Sequence, residues 1–217
     1  MTTPTMVGSA VAPSSTVVTA TSVTFTFTIP TVSVGQMLAI AYSGAQNSIT
    51  GEVPYLTTIS DSTGRIWNNY GFTGTSADSE TGLISAAVAA GDTGRTVTIV
   101  VTSPNNPTIP IAAAAQLMVF ENWSGAYDVV TAFKNTATTG TYTTTQNNEY
   151  IMEVWEGTNG TLTPTVGVPS TTTQLGSTQT GTSTSGFKIA MSVGAKPLTT
   201  AGSSSDSNGG MSASRRT

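Results

Sequence analysis

Hydrophobic residues recur with a period of two along most of this 217-residue chain, and that period suits strands and not helices. Val23-Thr24-Phe25-Thr26-Phe27-Thr28-Ile29 is the clearest stretch. Successive strand side chains point to opposite faces, so Val23, Phe25, Phe27 and Ile29 share one face and the threonines take the other. β-Branched threonine fits a pleated strand and keeps its outer face wet. Pro30 closes the stretch. The run Met37–Tyr42 is apolar without a break, as expected of a strand buried on both faces. Further strands are expected over 55–60, 65–71, 82–88, 96–101, 112–120, 129–134, 149–156, 161–168, 171–175 and 187–193. Turn signals separate them, among them Asp61-Ser62-Thr63-Gly64, Gly91-Asp92-Thr93-Gly94, Pro104-Asn105-Asn106-Pro107 and Asn159-Gly160. Two alanine-rich stretches, 85–90 and 112–116, lean towards helix by composition. Both lead into β patterns without caps, so they read as strands whose small side chains let sheets approach closely.

About a dozen strands spaced by turns predict an all-β fold: a single large, jelly-roll-like antiparallel β-sandwich. About 200 residues is within range for one all-β domain. A division near Asn122–Asp128 would leave five or six strands on each side, and no linker marks it. The sandwich is expected over 16–200, after an N-terminal arm over 1–15 and before a low-complexity tail over 201–217. The tail, with Gly202–Gly210 at its centre, buries too little apolar surface to offset its ordering entropy. Both ends are expected to be disordered alone or ordered by a neighbouring chain.

Composition narrows the function. Histidine and cysteine are absent, which removes Ser-His-Asp and Cys-His nucleophiles, the usual zinc sites, histidine-ligated haem and disulfides. Only 8% of residues are charged, against about 25% in an ordinary globular protein. Polarity comes instead from 44 threonines and 25 serines. A net charge of −4 and a single adjacent basic pair, Arg215-Arg216, leave no face to neutralise phosphates, so no nucleic-acid partner is expected. No apolar run approaches the roughly 20 residues of a membrane span. The N-terminus has neither the basic nor the apolar segment of a secretion signal. No membrane contact and no cofactor are expected.

Few residues carry candidate chemistry. Asp61, Ser62 and Gly64 could belong to a calcium loop, but hard cations take six or more oxygens and only one carboxylate is present. Asp61, Gly64 and Trp67 therefore read as a structural turn, with Asp61 accepting backbone N–H groups as in an Asx-turn. Trp67 and Trp155 read as core residues. Trp123, beside Ser124-Gly125 at a strand end, reads as an exposed contact able to meet a sugar ring. Paired carboxylates are the remaining route to hydrolysis. Glu153 and Glu156 fall on opposite strand faces, and Glu149 and Glu153 lie about 13 Å apart along a strand, outside the inverting range. Only Glu121 with Glu153 across strands remains, and no catalytic site is expected. Asn122-Trp123-Ser124 and Asn159-Gly160-Thr161 match the glycosylation pattern, by chance where no signal sequence precedes them.

Four segments, in order, carry a family resemblance. Val34-Gly35-Gln36-Met37-Leu38-Ala39-Ile40 resembles a v-x-x-G-x-x-L-x-V strand. Ile59-Ser60-Asp61-Ser62-Thr63-Gly64-Arg65-Ile66-Trp67 resembles a v-x-D-S-x-G-N-x-W hairpin. Val119-Phe120-Glu121-Asn122-Trp123-Ser124-Gly125 is similar to a v-x-E-aromatic-S-G strand end, and Tyr142–Ile151 to a T-T-T-x-x-x-E-L-x-V strand. Together, over residues 16 to 195, they resemble the jelly-roll-like β-sandwich domains of bacteriophage virion proteins and modular secreted bacterial proteins. Arg65 departs from the pattern, standing where that hairpin has Asn. It admits φ > 0 less readily, so a different hairpin geometry is expected. The resemblance implies a non-enzymatic virion structural protein, foremost a decoration or accessory protein on the outer surface of the phage capsid. Its partners would be the major capsid protein or tail proteins, and it would be a homo-oligomer, with a trimer favoured. The alternatives are a tail-associated or receptor-binding phage protein, or a carbohydrate-binding module or adhesin with a glycan ligand.

Overall fold

The computed structural model describes residues 4–46, 55–73, 79–103, 109–125, 130–133, 139–147, 149–158, 166–167, 173–174, 179–198, 201, 203–208 and 212–216. Every element among them is a strand, and all strand pairings are antiparallel. With strands numbered in chain order, the central sheet runs β1 (Thr5–Met6), β9 (Ile111–Glu121), β4 (Met37–Gln46), β7 (Ser79–Ala87) and β6 (Asn68–Thr73). A second sheet runs β2 (Ser15–Val18), β3 (Ser22–Thr28), β8 (Thr96–Thr102) and β5 (Tyr55–Asp61). A third runs β10 (Val130–Phe133), β18 (Ser212–Arg216), β12 (Glu149–Thr158), β16 (Lys188–Leu198) and β14 (Thr173–Gln174), with β15 (Gln179–Thr182) also on β16. The strands β11 (Thr139–Thr143), β17 (Ser203–Asn208) and β13 (Val166–Gly167) form a small fourth sheet.

The central sheet is covered on both faces, and residue parity decides which side chain faces which neighbour. Leu38, Ile40 and Tyr42 of β4, with Ile111, Ala113, Ala115, Leu117 and Val119 of β9, join Val23, Phe25, Phe27, Val97, Ile99 and Val101 of the second sheet in one core. Met37, Ala39, Ala41 and Ala45, with Ala112, Ala114, Met118 and Phe120, join Val154, Ile189, Met191 and Val193 of the third sheet in another. All ten residues of β4 are buried. Because strand side chains alternate, a one-residue slip of β4 against β9 would exchange the two cores. The second core also spans the Asn122–Asp128 region considered as a boundary, packing residues before it against residues after it.

The alanine run at 112–116 lies in β9, and its small side chains do permit close approach. A methyl group on Gly181 of β15 would run into the Ala113 backbone. Only glycine fits at that crossing. The other alanine-rich stretch splits: β7 ends at Ala87, and Ala89 and Ala90 enter the turn to β8. The strand expected from Arg65 begins at Asn68, because Arg65 to Trp67 serve the turn described below. Most of the strand expected over 161–168 lies outside the described residues.

The chain ends correct a sequence expectation. Neither waits for a neighbour to supply its pairing. Thr5 and Met6 pair with Glu121 and Phe120, the Val7 N–H donates to the Val119 carbonyl at 2.8 Å, and Val11 exchanges backbone bonds with Leu117. At the other end, β17 pairs with β11 and β13, and β18 lies between β10 and β12. Ladder bonds use backbone groups that every residue except proline carries, so serine and glycine enter a sheet without an apolar payload of their own. The entropic argument weighed side-chain burial and omitted the open strand edges the rest of the chain provides.

Removal of residues 201–217 therefore takes out two strands, β17 and β18, each with partners on both sides. Circular dichroism and thermal melting of the truncated protein should show lost β signal and a lowered melting temperature. An unchanged melt would mean that neither β17 nor β18 contributes to the stability of its sheet.

Candidate functional site

The densest described cluster of charge sits where three turns meet at one end of the sandwich. It grows from the Asp61 turn. The Thr63 N–H and hydroxyl donate to Asp61 Oδ1 at 2.8 and 2.7 Å, and the Gly64 N–H donates to the Asp61 carbonyl at 3.1 Å. Gly64 takes the left-handed conformation, φ +69°, with open space where a side chain would begin. Arg65 does not share that conformation. The positive φ is confined to Gly64, so Arg65 follows it with an ordinary backbone.

Arg65 then turns inward. Its Nε lies 3.0 Å from Asp61 Oδ2, and its Nη2 lies 2.6 Å from Asp92 Oδ1 in the β7–β8 turn. All three side chains are buried: 8% of Arg65, 1% of Asp61 and none of Asp92 is exposed. Neither charge contact is aligned as a hydrogen bond. The aligned bond runs from Nη1–H to the Ala87 carbonyl, at 3.0 Å. Asp92 is itself fixed, its Oδ2 accepting the Ala89 N–H at 2.6 Å. Trp67 completes the cluster. Its Nε1–H donates to Asp61 Oδ2 at 3.3 Å, the Arg65 guanidinium stands 5.8 Å from its ring centre, and the indole packs against the first core. Such a stacked cation–ring pair adds attraction beyond the ion contacts.

The loop between β3 and β4 ties into the same end. The Val32 N–H donates to Thr93 Oγ1 at 3.0 Å, and the Val88 N–H donates to the Gln36 carbonyl at 2.9 Å. Both oxygens of Asp61 are thus engaged by protein groups, the arrangement of a structural clasp. Burial pushes the Asp61 carboxyl up, but the hydroxyl and N–H of Thr63, the Arg65 charge and the Trp67 N–H outweigh it and hold it below its ordinary value.

Trp123 corrects a second expectation. Its ring is half-buried, meets Phe120 edge-on at 5.8 Å between centres, and packs against the second core. Asn122 before it takes φ +61°, which asparagine tolerates, and this turn folds the indole back onto the sheet. The sequence signal of a strand end was correct, but the reversal it implied was overlooked. Glu121 is exposed and accepts the Thr5 hydroxyl at 3.0 Å. The side chains of Glu149, Glu153, Trp155 and Glu156 lie outside the described residues, as does Asn159.

A different surface stands out by its uniformity. On the outer face of the second sheet, one row across the strands is Ser15, Thr26, Thr98 and Ser60, and the next is Val17, Thr24, Val100 and Thr58. Thr28 with Thr96 and Ser22 with Thr102 flank them. None of these residues carries a charge. Thr26 and Thr98 share a hydroxyl contact at 3.3 Å, and Val17 is 56% exposed. Adjacent strands lie about 4.8 Å apart, so this face is a closely spaced array of methyl and hydroxyl groups.

No family model, curated protein or solved structure matches the chain.

Arg65 and Asp92 were not singled out by sequence reasoning as partners. Arg65 stood out only as a departure from a pattern and Asp92 only as a turn residue. The available signal was scarcity: in so weakly charged a chain, three charges placed in two glycine-bounded turns have a reason to be there.

Two measurements follow. Arg65→Ala leaves two buried carboxylates without their cation and should cost about 3–5 kcal/mol in urea denaturation. For Asp61 the folded-state pKa lies below the unfolded one, so the unfolded chain binds the extra proton. The contribution is complete above about pH 4–5 and fades as pH falls through the folded-state value. Calorimetry should therefore show wild-type melting temperature dropping more steeply on acidification than that of Asp61→Asn.

Proposed function

We propose that this protein is a non-enzymatic structural component of a bacteriophage particle, a decoration or accessory protein seated on the capsid exterior as a homo-oligomer, with three copies favoured. The observation that carries this reading is the uncharged threonine face of the second sheet. It is broad and regular, built to lie against another surface. The resemblance of residues 16 to 195 to virion sandwich domains supports the same reading. The described charge cluster, in contrast, is spent on joining turns.

The chain ends are committed to their own sheets, so attachment is assigned to the sheet face and not to terminal arms. The Ala112–Ala115 stretch is fully covered and does not serve as an alternative. A face without charge gains little from long-range steering, so binding should survive moderate salt.

Purified particles should contain the protein after a 0.5 M salt wash, at a copy number in multiples of sixty or as three-fold clusters in cryo-electron micrographs. Thr26→Lys with Thr98→Lys, which places charge on the face, should fold and lose occupancy. Absence from washed particles would overturn the proposal, and density confined to the tail would move the protein there.

A further inference from the structure

We infer that the Asp61–Arg65–Asp92 clasp is an acid-operated latch, releasing the segment from Ser62 to Trp67 while the sheets beneath stay paired. The partners in the clasp answer acid differently. Aspartates lose their charge within an attainable pH range, whereas a guanidinium stays protonated throughout. Acid therefore does not neutralise this cluster. Protonation of Asp61 leaves a cation that is 8% exposed without the anion on which its own turn is built. A buried charge that loses a partner is costly to hold, and moving it into water relieves the cost.

The segment is built to move. Residues 62–67 lie between β5 and β6 and belong to no strand. Ser62, Thr63, Gly64 and Ile66 are exposed, Ile66 to 86%. Two side chains fasten it, Arg65 through the clasp and Trp67 through its contacts with Asp61 and the first core. Every fastening except the indole packing and the bond to the Ala87 carbonyl passes through a carboxylate or the turn it supports. Gly64, already at positive φ with open space around it, supplies a pivot.

The surrounding charges favour release. Asp61 comes from the end of β5, and Asp92 and Arg95 from the β7–β8 turn; the loop between β3 and β4 contributes Val32 and Gln36, which do not titrate. Arg95 donates from Nε to the Gly91 carbonyl at 2.8 Å, so loss of the Asp61 charge leaves two cations, Arg65 and Arg95, at this end of the molecule. Opening carries the indole off the first core and bares apolar surface that is covered at neutral pH.

Hydrogen exchange of the full chain, followed by mass spectrometry and corrected for the intrinsic pH dependence of exchange, tests the latch. Between neutral pH and about pH 2, peptides covering 61–68 should lose protection by at least about tenfold, while β4 and β9 keep theirs. Arg65→Met removes the buried cation and should abolish that local step. If that variant does not fold, Asp92→Asn is the substitute, and it should raise exchange of 61–68 already at neutral pH. Full protection of the segment at low pH would overturn the inference. So would its loss together with β4 and β9, an unchanged acid step in Arg65→Met, or wild-type exchange in Asp92→Asn.

Discussion

Burial of one sheet on both faces is the constraint from which the rest of this architecture follows. A sheet with one wet face can vary its outer side chains freely. The central sheet here cannot, because each residue of β4 and most of β9 must fit one core or the other. The two faces answer differently. Towards the second sheet they present Leu38, Ile40, Tyr42 and Leu117, large groups that fill space. Towards the third they present Ala39, Ala41, Ala45, Ala112 and Ala114, which bring the layers together. Close approach then limits what may stand opposite, as with glycine at 181 against the Ala113 backbone. Within the central sheet itself, glycine at 82 leaves room for the ring of Tyr42, its register partner on β4. The buried Tyr42 hydroxyl in this interior donates to Glu80 at 2.6 Å.

Such a stack leaves the layers free to slide or splay at their ends, and the clasp acts there. Arg65 lies in the turn from β5 to β6 and Asp92 in the turn from β7 to β8, so their contact ties together two turns that each join the second sheet to the central one. A buried ion pair is weak support for net stability, since desolvation offsets much of its attraction. Its value here is positional. Three turns with few apolar groups of their own are fixed by charge, by one cation–ring contact and by backbone bonds, and the uncharged outer faces stay clear of the arrangement.

How far the sequence revealed this depends on which face a residue shows. Alternation of valine and phenylalanine with threonine located β3 to within a residue, because one face of that strand is wet and the contrast is large. The unbroken run at Met37 announced double burial for the same reason in reverse. β1, β2, β11, β15, β17 and β18 were missed. They are short or made of serine, threonine and glycine, and they are strands because a paired edge awaits them, a fact held by distant residues. The turn at Asp61 was legible because its bonds are local. Its link to Asp92 was not, since nothing near Arg65 in the chain marks a partner 27 positions away. Trp123 was misjudged because the backbone reversal at Asn122 was not foreseen.

The place of β18 has a consequence for how the molecule is assembled. It inserts between β10 and β12, strands that lie about 60 to 80 positions earlier in the chain. Until it arrives, β10 and β12 each stand with an open edge. An open edge does not distinguish its own strand from the same strand of a second molecule. Where many copies are made at once, order of arrival then governs the outcome: prompt insertion yields separate molecules, and delay lets a neighbour's strand fill the gap. The last strand to be made, β18, is therefore the one whose timing separates folding alone from exchange between copies.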